Sequence, residues 1–372
     1  MVTAATVIIA AYLAVQFAVF LSNLAAFPVL RTHQRSGAQA SAGRISLLVP
    51  VRNEADVLPS TLPTWLAQDV HEIVVLNDAS SDDSAAILDR AAGQDARLKV
   101  VHGGAEPPPG WNGKNWACHR LAEHAEGDLL LFLDADVFLE SGAVQAAVAD
   151  RHASNADLLT VWPHQRLGLP LERLVVPLVD MILLGGLPAA LVNRMPQPAL
   201  SGANGQFMLW TRGAYERVGG HAAVRSQALE DVKLAREVKR SGGRLALRLG
   251  GRLVQARMYR SNRAVAEGFS KNVLEAAGSA PALVFWTALA LLAYTAVWPL
   301  ALMAPHLLLL GVAGILLRAV VEVRSGRNAA LGLLQPLAPV AAAWIVFLAL
   351  RRGRSYHWKG RTFSREGSTG AP

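Results

Sequence analysis

The sequence predicts an α/β domain on a mostly parallel sheet, flanked by apolar segments able to enter a membrane. Three observations carry that reading. From Gly43 onward, short apolar runs alternate with stretches of helical periodicity, the pattern of strands joined by crossover helices. Residues 1–30, 281–317 and 328–350 contain no Lys, Arg, Asp or Glu, and a membrane helix needs roughly 20 apolar residues. Between Gly127 and Val137 a wholly apolar run stops at two carboxylates, Asp134 and Asp136. Such a run reads as a strand buried on both faces, and its carboxyl end is where open α/β sheets bind ligands.

Composition limits the alternatives. In the 372 residues, 52% are hydrophobic and 17% charged, too apolar a balance for an ordinary soluble enzyme. The net charge of +8 is concentrated in the tail, where Arg351, Arg352, Arg354, Lys359, Arg361 and Arg365 oppose Glu366. Cations beside an apolar segment suit anionic lipid better than nucleic acid, so no nucleic-acid partner is expected. The single cysteine, Cys118, excludes an internal disulfide framework and a cysteine zinc cluster, and reads as a small buried hydrophobe. Residues 1–30 lack a basic n-region and read as a retained anchor. Arg31 and Arg35 follow at once, which places the next part of the chain in the cytoplasm by the positive-inside rule.

Along the domain, Ile45–Val51 is the first strand, ending at Arg52-Asn53-Glu54, and a helix follows over residues 55–66. Ile73–Leu76 is the second strand, ending at Asn77-Asp78. Asp82 or Asp83 would cap the helix that begins near Ser84, whereas Asp78 lies too far ahead to do so. A third strand at Leu98–His102 leads into a Gly- and Pro-rich loop. A helix opens at Asn112-Gly113-Lys114-Asn115, where a lysine opposes the helix dipole unless an anion such as phosphate lies near. Neither GxxxxGK[ST] nor GxGxxG is present, so a P-loop or dinucleotide site is not expected.

After Asp136 the pattern gives a helix from Gly142 to Ala153 and a strand at Leu158–Trp162. Residues 171–192 are apolar but broken by Pro177, Asp180 and Gly185, which suits a helix lying in the membrane interface. Asn204–Trp210 resumes the sheet. A helix begins at Glu230-Asp231, acidic residues that serve equally as dipole partners or as chemical groups, and Gly242-Gly243 closes it. Arg257 and Arg260, three apart, could anchor to lipid or clamp a diphosphate. Residues 263–277 form an amphipathic lead-in to the membrane.

In order and spacing, Pro50 to Glu54, Asp78, Gly113-Lys114, Asp134-Ala135-Asp136, Glu230-Asp231 and Arg257 to Arg260 resemble the GT-A glycosyltransferases of family 2. The likeness is nearest to membrane-anchored members that glycosylate lipids, such as ceramide glucosyltransferases and bacterial carotenoid or hopanoid-associated enzymes. It spans residues 43–275 and implies a GT-A (Rossmann-like) catalytic domain with transmembrane helices at both ends. The expected boundaries are an anchor at 1–30, a catalytic domain at 31–280, membrane segments at 281–350 and a basic tail at 351–372.

The resemblance also implies roles. Glu54 and Asp78 would hold the nucleoside, Lys114 the nucleotide or phosphate, and Asp134 the ribose or donor sugar. Asp136 would bind Mg²⁺ or Mn²⁺ on the diphosphate, Asp231 would be the catalytic base with Glu230 beside it, and Arg257 and Arg260 would match the Q/R-x-x-R-W motif. Ser261 stands where that motif has Trp, which counts against a processive polysaccharide synthase. Trp358 to Arg361 looks like a short element of the lipid-directed relatives. The implied activity is inverting transfer of a hexose from a UDP-sugar to a membrane lipid, by an integral membrane protein with its catalytic domain facing the cytoplasm. A polyprenyl-phosphate sugar synthase, a processive synthase and an inactive membrane scaffold are the alternatives.

One conflict stands in the sequence. Arg318, Arg324 and Arg327 lie on one side of residues 328–350 and the cationic tail on the other, so both ask for the cytoplasm. A re-entrant segment bent at Pro336 and Pro339 satisfies both. A full crossing does not, and leaves the tail outside.

Overall fold

The computed structural model describes residues 2–32, 43–104, 106–351, 355–358 and 361–364, the last two stretches as backbone. The chain begins with α1 (Val2–Ala26), β1 (Ile45–Val51), α2 (Leu58–Leu66), β2 (Glu72–Asp78), α3 (Ser84–Ala92), β3 (Leu98–Gly103) and α4 (Gly113–His124). It continues through β4 (Leu129–Leu133), β5 (Val137–Leu139), α5 (Ala143–Ala153), β6 (Leu158–Trp162), β7 (His164–Gln165), α6 (Pro170–Gly186) and α7 (Ala189–Arg194). Then come β8 (Phe207–Thr211), α8 (Arg212–Arg217), α9 (Glu230–Arg240), β9 (Leu245–Leu249), β10 (Val254–Ala256) and α10 (Asn262–Ala277). The last elements are α11 (Ala280–Ala290), α12 (Val297–Ala301), α13 (Leu307–Arg324), α14 (Ala338–Arg351), β11 (Ser355–Trp358) and β12 (Arg361–Ser364). Two compact units result. One is helical, made of Met1–Phe27, Gln165–Ala190 and Met258–Tyr356; the other is α/β, made of Pro28–His164, Leu191–Arg257 and His357–Pro372.

The α/β unit is built on a seven-stranded sheet in the order β3-β2-β1-β4-β8-β6-β9. β1 pairs in parallel with β2 and β4, β2 with β3, and β6 with β9, while β8 runs antiparallel to β4 and β6. The direction of strand succession reverses between β1 and β4, which is the switch point where open α/β sheets leave a crevice beyond the carboxyl ends. Asp78, the last residue of β2, and the loops after β1 and β4, with Glu54, Asp134 and Asp136, all lie at those ends.

Burial explains why the central strands are so apolar. Leu47, Leu48, Val49, Val74, Val75, Leu130 and Leu131 are fully buried, each contributing about 1.5–3 kcal/mol relative to exposure. Trp65 of α2 fills the layer over one face, wholly buried, and its indole N–H donates to the Val137 carbonyl at 2.9 Å.

One strand expectation needs correction, and one strand was not expected. Asn204 to Gln206 is a loop, because the Asn204 side chain accepts from the Gln206 N–H at 2.9 Å and turns the backbone before β8. β9 had no forecast: Arg248 interrupts its apolar run, yet that guanidinium is buried against Asp150 at 2.9 Å, so the strand keeps its place beside β6.

In the helical unit, Val2–Ala26 and the continuous stretch Ala280–Ala301 are long and apolar enough to cross a membrane. The stretch 280–301 holds a π-helical turn at Leu291–Ala296. Residues 171–192 form two helices, α6 and α7. α6 is buried along one side, and Asn23 of α1 donates to the carbonyls of Leu184 and Leu187 at 2.9 and 2.8 Å. Arg318 and Arg327, which the positive-inside rule assigns to the cytoplasmic side, are buried in ion pairs with Glu322 and Asp180. The tail cations Arg352, Arg354, Lys359 and Arg365 lie outside the described residues.

Replacing Trp65 by Ala removes a buried ring and leaves the Val137 carbonyl unpaired. The expected loss is about 3–5 kcal/mol, read as a lowered midpoint in chemical denaturation of the detergent-solubilised protein; a shift within error would refute this role for Trp65.

Candidate active site

The loops beyond the carboxyl ends of β1 and β2 are held together by side-chain to backbone bonds. Asn53 and Ala79 both take left-handed backbone angles, φ 51° and 47°, which non-glycine residues adopt only when their surroundings enforce them. The Asn53 N–H donates to Ser80 Oγ at 3.0 Å, and Asn53 Oδ1 accepts from the Ser81 N–H at 2.8 Å. Asp82 accepts from the N–H groups of Ala55 and Ser84, which fulfils its expected capping role and also ties the two loops. The Glu54 N–H donates to Ser84 Oγ at 2.8 Å. Asp78 is buried, and Arg52 bonds its carbonyl at 2.7 Å and faces its carboxylate at 3.7 Å. Glu54 and Asp78, the latter the last residue of β2, thus lie at one braced pair of strand ends.

Beyond β4 the centre is Lys114, in the first turn of α4. Asn112 caps that helix by accepting from the Lys114 N–H at 3.0 Å. Lys114 Nζ lies 2.8 Å from Asp134 and 3.0 Å from Glu230. The lysine that opposes its own helix dipole is therefore held by two carboxylates of the protein. Burial disfavours its charge, but Asp134 and then Glu230 outweigh burial and hold it well above the ordinary lysine value. Burial also penalises the Glu230 carboxylate, and Lys114 overcomes this, keeping Glu230 below the usual range.

Asp231, the next residue, behaves oppositely. Its carboxylate accepts from the N–H groups of Gly205 at 2.9 Å and Val232 at 2.7 Å, yet burial and the adjacent Glu230 charge push its pKa up to about 7. Neighbouring carboxylates driven apart in pKa mark a site able to accept a proton near neutral pH. Gly205 touches all of this: a Cβ there would lie 3.0 Å from Glu230 Oε1, 3.3 Å from Lys114 Nζ and 3.5 Å from Asp231 Cβ.

Asp136 lies on the other side of the same loop system. Its Oδ1 accepts from Gln206 Nε2 at 3.3 Å, its carbonyl accepts from the Arg257 N–H at 3.2 Å, and the Asp134 N–H donates to the Gln206 carbonyl at 3.2 Å. Arg257 Nε is buried without a hydrogen-bond partner. Lys114, Asp134, Asp136, Glu230, Asp231 and Arg257 thus form one linked cluster. Arg260 is exposed and belongs to the helical unit. Ser261 caps α10, accepting from the Ala264 N–H at 3.1 Å, so the position that holds Trp in the motif here starts a helix.

Several residues of the site carried no sequence signal. Asn204 and Thr160 exchange hydrogen bonds at 2.9 and 3.1 Å and set the loop that presents Gly205 and Gln206. Fully buried Asn115 donates to the carbonyls of Val224 and Gln227 at 2.8 and 2.9 Å, fixing the segment ahead of α9 against α4. Asn115 stood in the quoted Asn112 to Asn115 stretch, but only a tertiary partner reveals its use. Cys118 is buried, as expected, and burial pushes its thiol pKa up, away from reactivity.

Residues 46–219 match the family model described as glycosyl transferase family 2. A 4,4'-diaponeurosporenoate glycosyltransferase of Staphylococcus haemolyticus (strain JCSC1435) is 26% identical over 239 residues, covering 63% of this chain and 62% of that protein. The protein of the same name from Staphylococcus aureus (strain MRSA252) is 25% identical over 256 residues, covering 65% of each. The chain therefore spans a little under two thirds of the length of these relatives. Among solved structures, the mannosyltransferase PcManGT from Pyrobaculum calidifontis, in complex with GDP-Man and Mn²⁺, aligns with a TM-score of 0.52 and 16% identity over 95% of this chain and 98% of its own. The fold shared is GT-A.

The Lys114 cluster makes a pH-dependent contribution to stability. A carboxyl whose pKa falls on folding, as that of Glu230 does, stabilises above its unfolded pKa and loses that contribution as pH drops through the folded value. Lys114→Met leaves Asp134 and Glu230 facing no ammonium. The expected cost at neutral pH is about 2 kcal/mol, less than for a fully enclosed pair because the lysine is partly exposed. The gap in unfolding midpoint between variant and wild type should close as pH falls below about 4, through the lowered Glu230 value of the wild type; a constant gap would refute the pairing.

Proposed function

Starting from the family 2 glycosyltransferase domain that the chain carries over residues 46–219, we propose that it transfers a hexose from a UDP-sugar to a hydroxyl or carboxyl group of a membrane lipid, with inversion at the anomeric carbon. The observation that carries this reading is Asp231, whose pKa of about 7 lies beside the Lys114, Asp134 and Glu230 cluster. The helical unit's long apolar helices and the carotenoid-acid glycosyltransferase names of the relatives favour a lipid acceptor of the carotenoid class.

In this reading the braced loops with Glu54 and Asp78 receive the nucleoside, and Asp134, oriented by Lys114, receives the ribose or sugar. Arg257 supplies the cation for the diphosphate, consistent with its buried, unpartnered Nε. Asp231 accepts the proton of the acceptor hydroxyl as its oxygen bonds to the anomeric carbon and the UDP oxygen departs. A single displacement of this kind inverts the centre. An acceptor carboxylate needs no such proton transfer, and Asp231 then acts by position.

Mg²⁺ or Mn²⁺ fits the donor set through Asp136. Among the described residues no three His, Cys, Asp or Glu side chains are grouped as a metal cage. One carboxylate plus donor phosphate oxygens, however, is the coordination Mg²⁺ favours. The cluster also holds one ammonium against the carboxylates of Asp134, Glu230 and Asp231, an excess of negative charge that an added cation offsets. When bound, such an ion would neutralise charge developing on the departing diphosphate.

Two measurements test this reading. Asp231→Asn should lower sugar transfer to a lipid hydroxyl at least about 100-fold while leaving UDP-sugar binding intact. In the wild type the rate toward a hydroxyl acceptor should fall as pH drops below about 7, where Asp231 takes up its proton, and Glu230→Gln, by removing the neighbouring charge, should move that limb to lower pH. An unmoved limb would refute the coupling, and near-normal turnover in Asp231→Asn would refute the base. Separately, Asp136→Ala should lose the Mn²⁺-dependent part of UDP-sugar binding in calorimetry; retention of that part would remove Asp136 from the metal role.

A further inference from the structure

We infer that the helical unit crosses a lipid bilayer three times, and that residues 329–351 enter the same bilayer and return, leaving the tail on the face where Phe27 and Arg324 lie.

Contacts at both ends fix the directions. Thr6 Oγ1 and His306 Nε2 are 3.0 Å apart, and Arg324 Nη2 donates to the Phe27 carbonyl at 2.7 Å. α1 and α13 therefore run parallel, with their starts at one face and their ends at the other. Thr6 to Phe27 spans about 32 Å at 1.5 Å per residue, against a hydrocarbon thickness of about 30 Å. The stretch 280–301 runs the opposite way between them, with Tyr294 bonded to Gln16 and edge-on to Tyr12 at 6.0 Å between ring centroids. Exposed side chains on these helices, among them Val15, Leu21, Leu309 and Leu316, are the apolar surface that acyl chains would cover.

The segment after α13 behaves differently. It starts at the Arg324 face, where Asn328 caps a 3₁₀ turn over Ala329–Leu334 by accepting from the Ala330 N–H at 2.8 Å. Gly332 lies against α13 so closely that a Cβ would come within 2.8 Å of Ala319 Cβ and 2.9 Å of the Ile315 carbonyl. Gln335 Oε1 accepts from Arg318 at 3.2 Å, and the Pro336 carbonyl accepts from Thr295 at 2.7 Å. The turn thus lies within the length of the spanning helices. α14 is only about 21 Å long, too short to cross. Its Ile345 joins a buried cluster with Val175 of α6 and Val265 of α10, the helix that precedes the stretch 280–301 at the Arg324 face.

The buried charges make this path feasible. Irregular backbone at membrane depth persists only where protein surrounds it, and charges there must be paired. Arg318, Glu322 and Gln335 are almost wholly buried. Arg318 pairs with Glu322 at 3.2 Å and also bonds the Arg173 carbonyl, while Arg327 pairs with both Glu322 and Asp180. Two guanidinium groups meet two carboxylates, so the plug around the turn is neutral.

Charge sidedness agrees. The face holding Thr6 and His306 has no Lys or Arg in residues 1–6 or 302–306, whereas the other face has Arg324 and is followed in sequence by Arg31. By the positive-inside rule that face is cytoplasmic. The two groups of arginines that conflicted in the sequence then lie on one side.

Single-cysteine labelling tests the path. In a full-length Cys118→Ser background, Leu302→Cys, Ser325→Cys and Ser368→Cys are exposed to a membrane-impermeant maleimide in intact cells and in inverted vesicles. Leu302→Cys should react in intact cells, and the other two only in inverted vesicles. Reaction of Ser368→Cys in intact cells would overturn the re-entrant path, and matched sidedness of Leu302→Cys and Ser325→Cys would overturn the crossing of α13. Should a variant fail to accumulate, protease added to inverted vesicles of the otherwise unaltered protein decides the tail: loss of a C-terminal epitope is expected, and its protection overturns the proposal.

Discussion

Lys114 Nζ, set between Asp134 from the end of β4 and Glu230 from the start of α9, is the interaction on which the candidate site depends. Its effect extends one residue further than its contacts. By keeping Glu230 ionised, it preserves the negative charge that, together with burial, keeps Asp231 near pKa 7. A lysine at a helix start is unfavourable for the isolated helix. Here the cost to α4 is exchanged for order around Gly205, where an added Cβ would press on Glu230 Oε1 and Lys114 Nζ at 3.0 and 3.3 Å.

The two units each bury charge, but with different balance. In the helical unit two arginines meet two carboxylates, and the group needs nothing further to be neutral. In the α/β unit one ammonium faces an excess of carboxylate, while a buried arginine nitrogen nearby lacks an acceptor. Balanced clusters serve register and packing. An excess of one sign suits a charged ligand, and the proposed sugar nucleotide with its cation has both signs of charge to offer.

Much of this was legible in the sequence because burial acts on runs of residues. Ile45–Val51 and Leu158–Trp162 have the expected bounds, since strands covered on both faces must be apolar from end to end. The acidic positions after those runs were legible too, because a carboxylate at a strand end stands out against its surroundings. What could not be read was anything defined by a distant partner. Asn115 and Thr160 are ordinary polar residues until their acceptors and donors are known. Arg248 broke a strand pattern only because Asp150 could not be foreseen beside it. Arg318 and Arg327 served only as topology signals for the same reason.

The antiparallel placement of β8 bears on how the chain is made. β8 lies between β4 and β6, so the sheet remains in two parts until residue 211 has been synthesised. Before that point the ribosome has already produced α6, which belongs to the other unit, and Asp180 with it. Its partner Arg327 comes 147 residues later. Asp180 therefore waits for that arginine through the synthesis of the rest of the α/β unit and most of the helical one. Contacts of such long range are closed last and leave nascent chains exposed to misassembly. The helical unit is thus completed from its C-terminal end, and a chain truncated before Arg327 would retain every residue of the candidate site while lacking the cation that Asp180 requires.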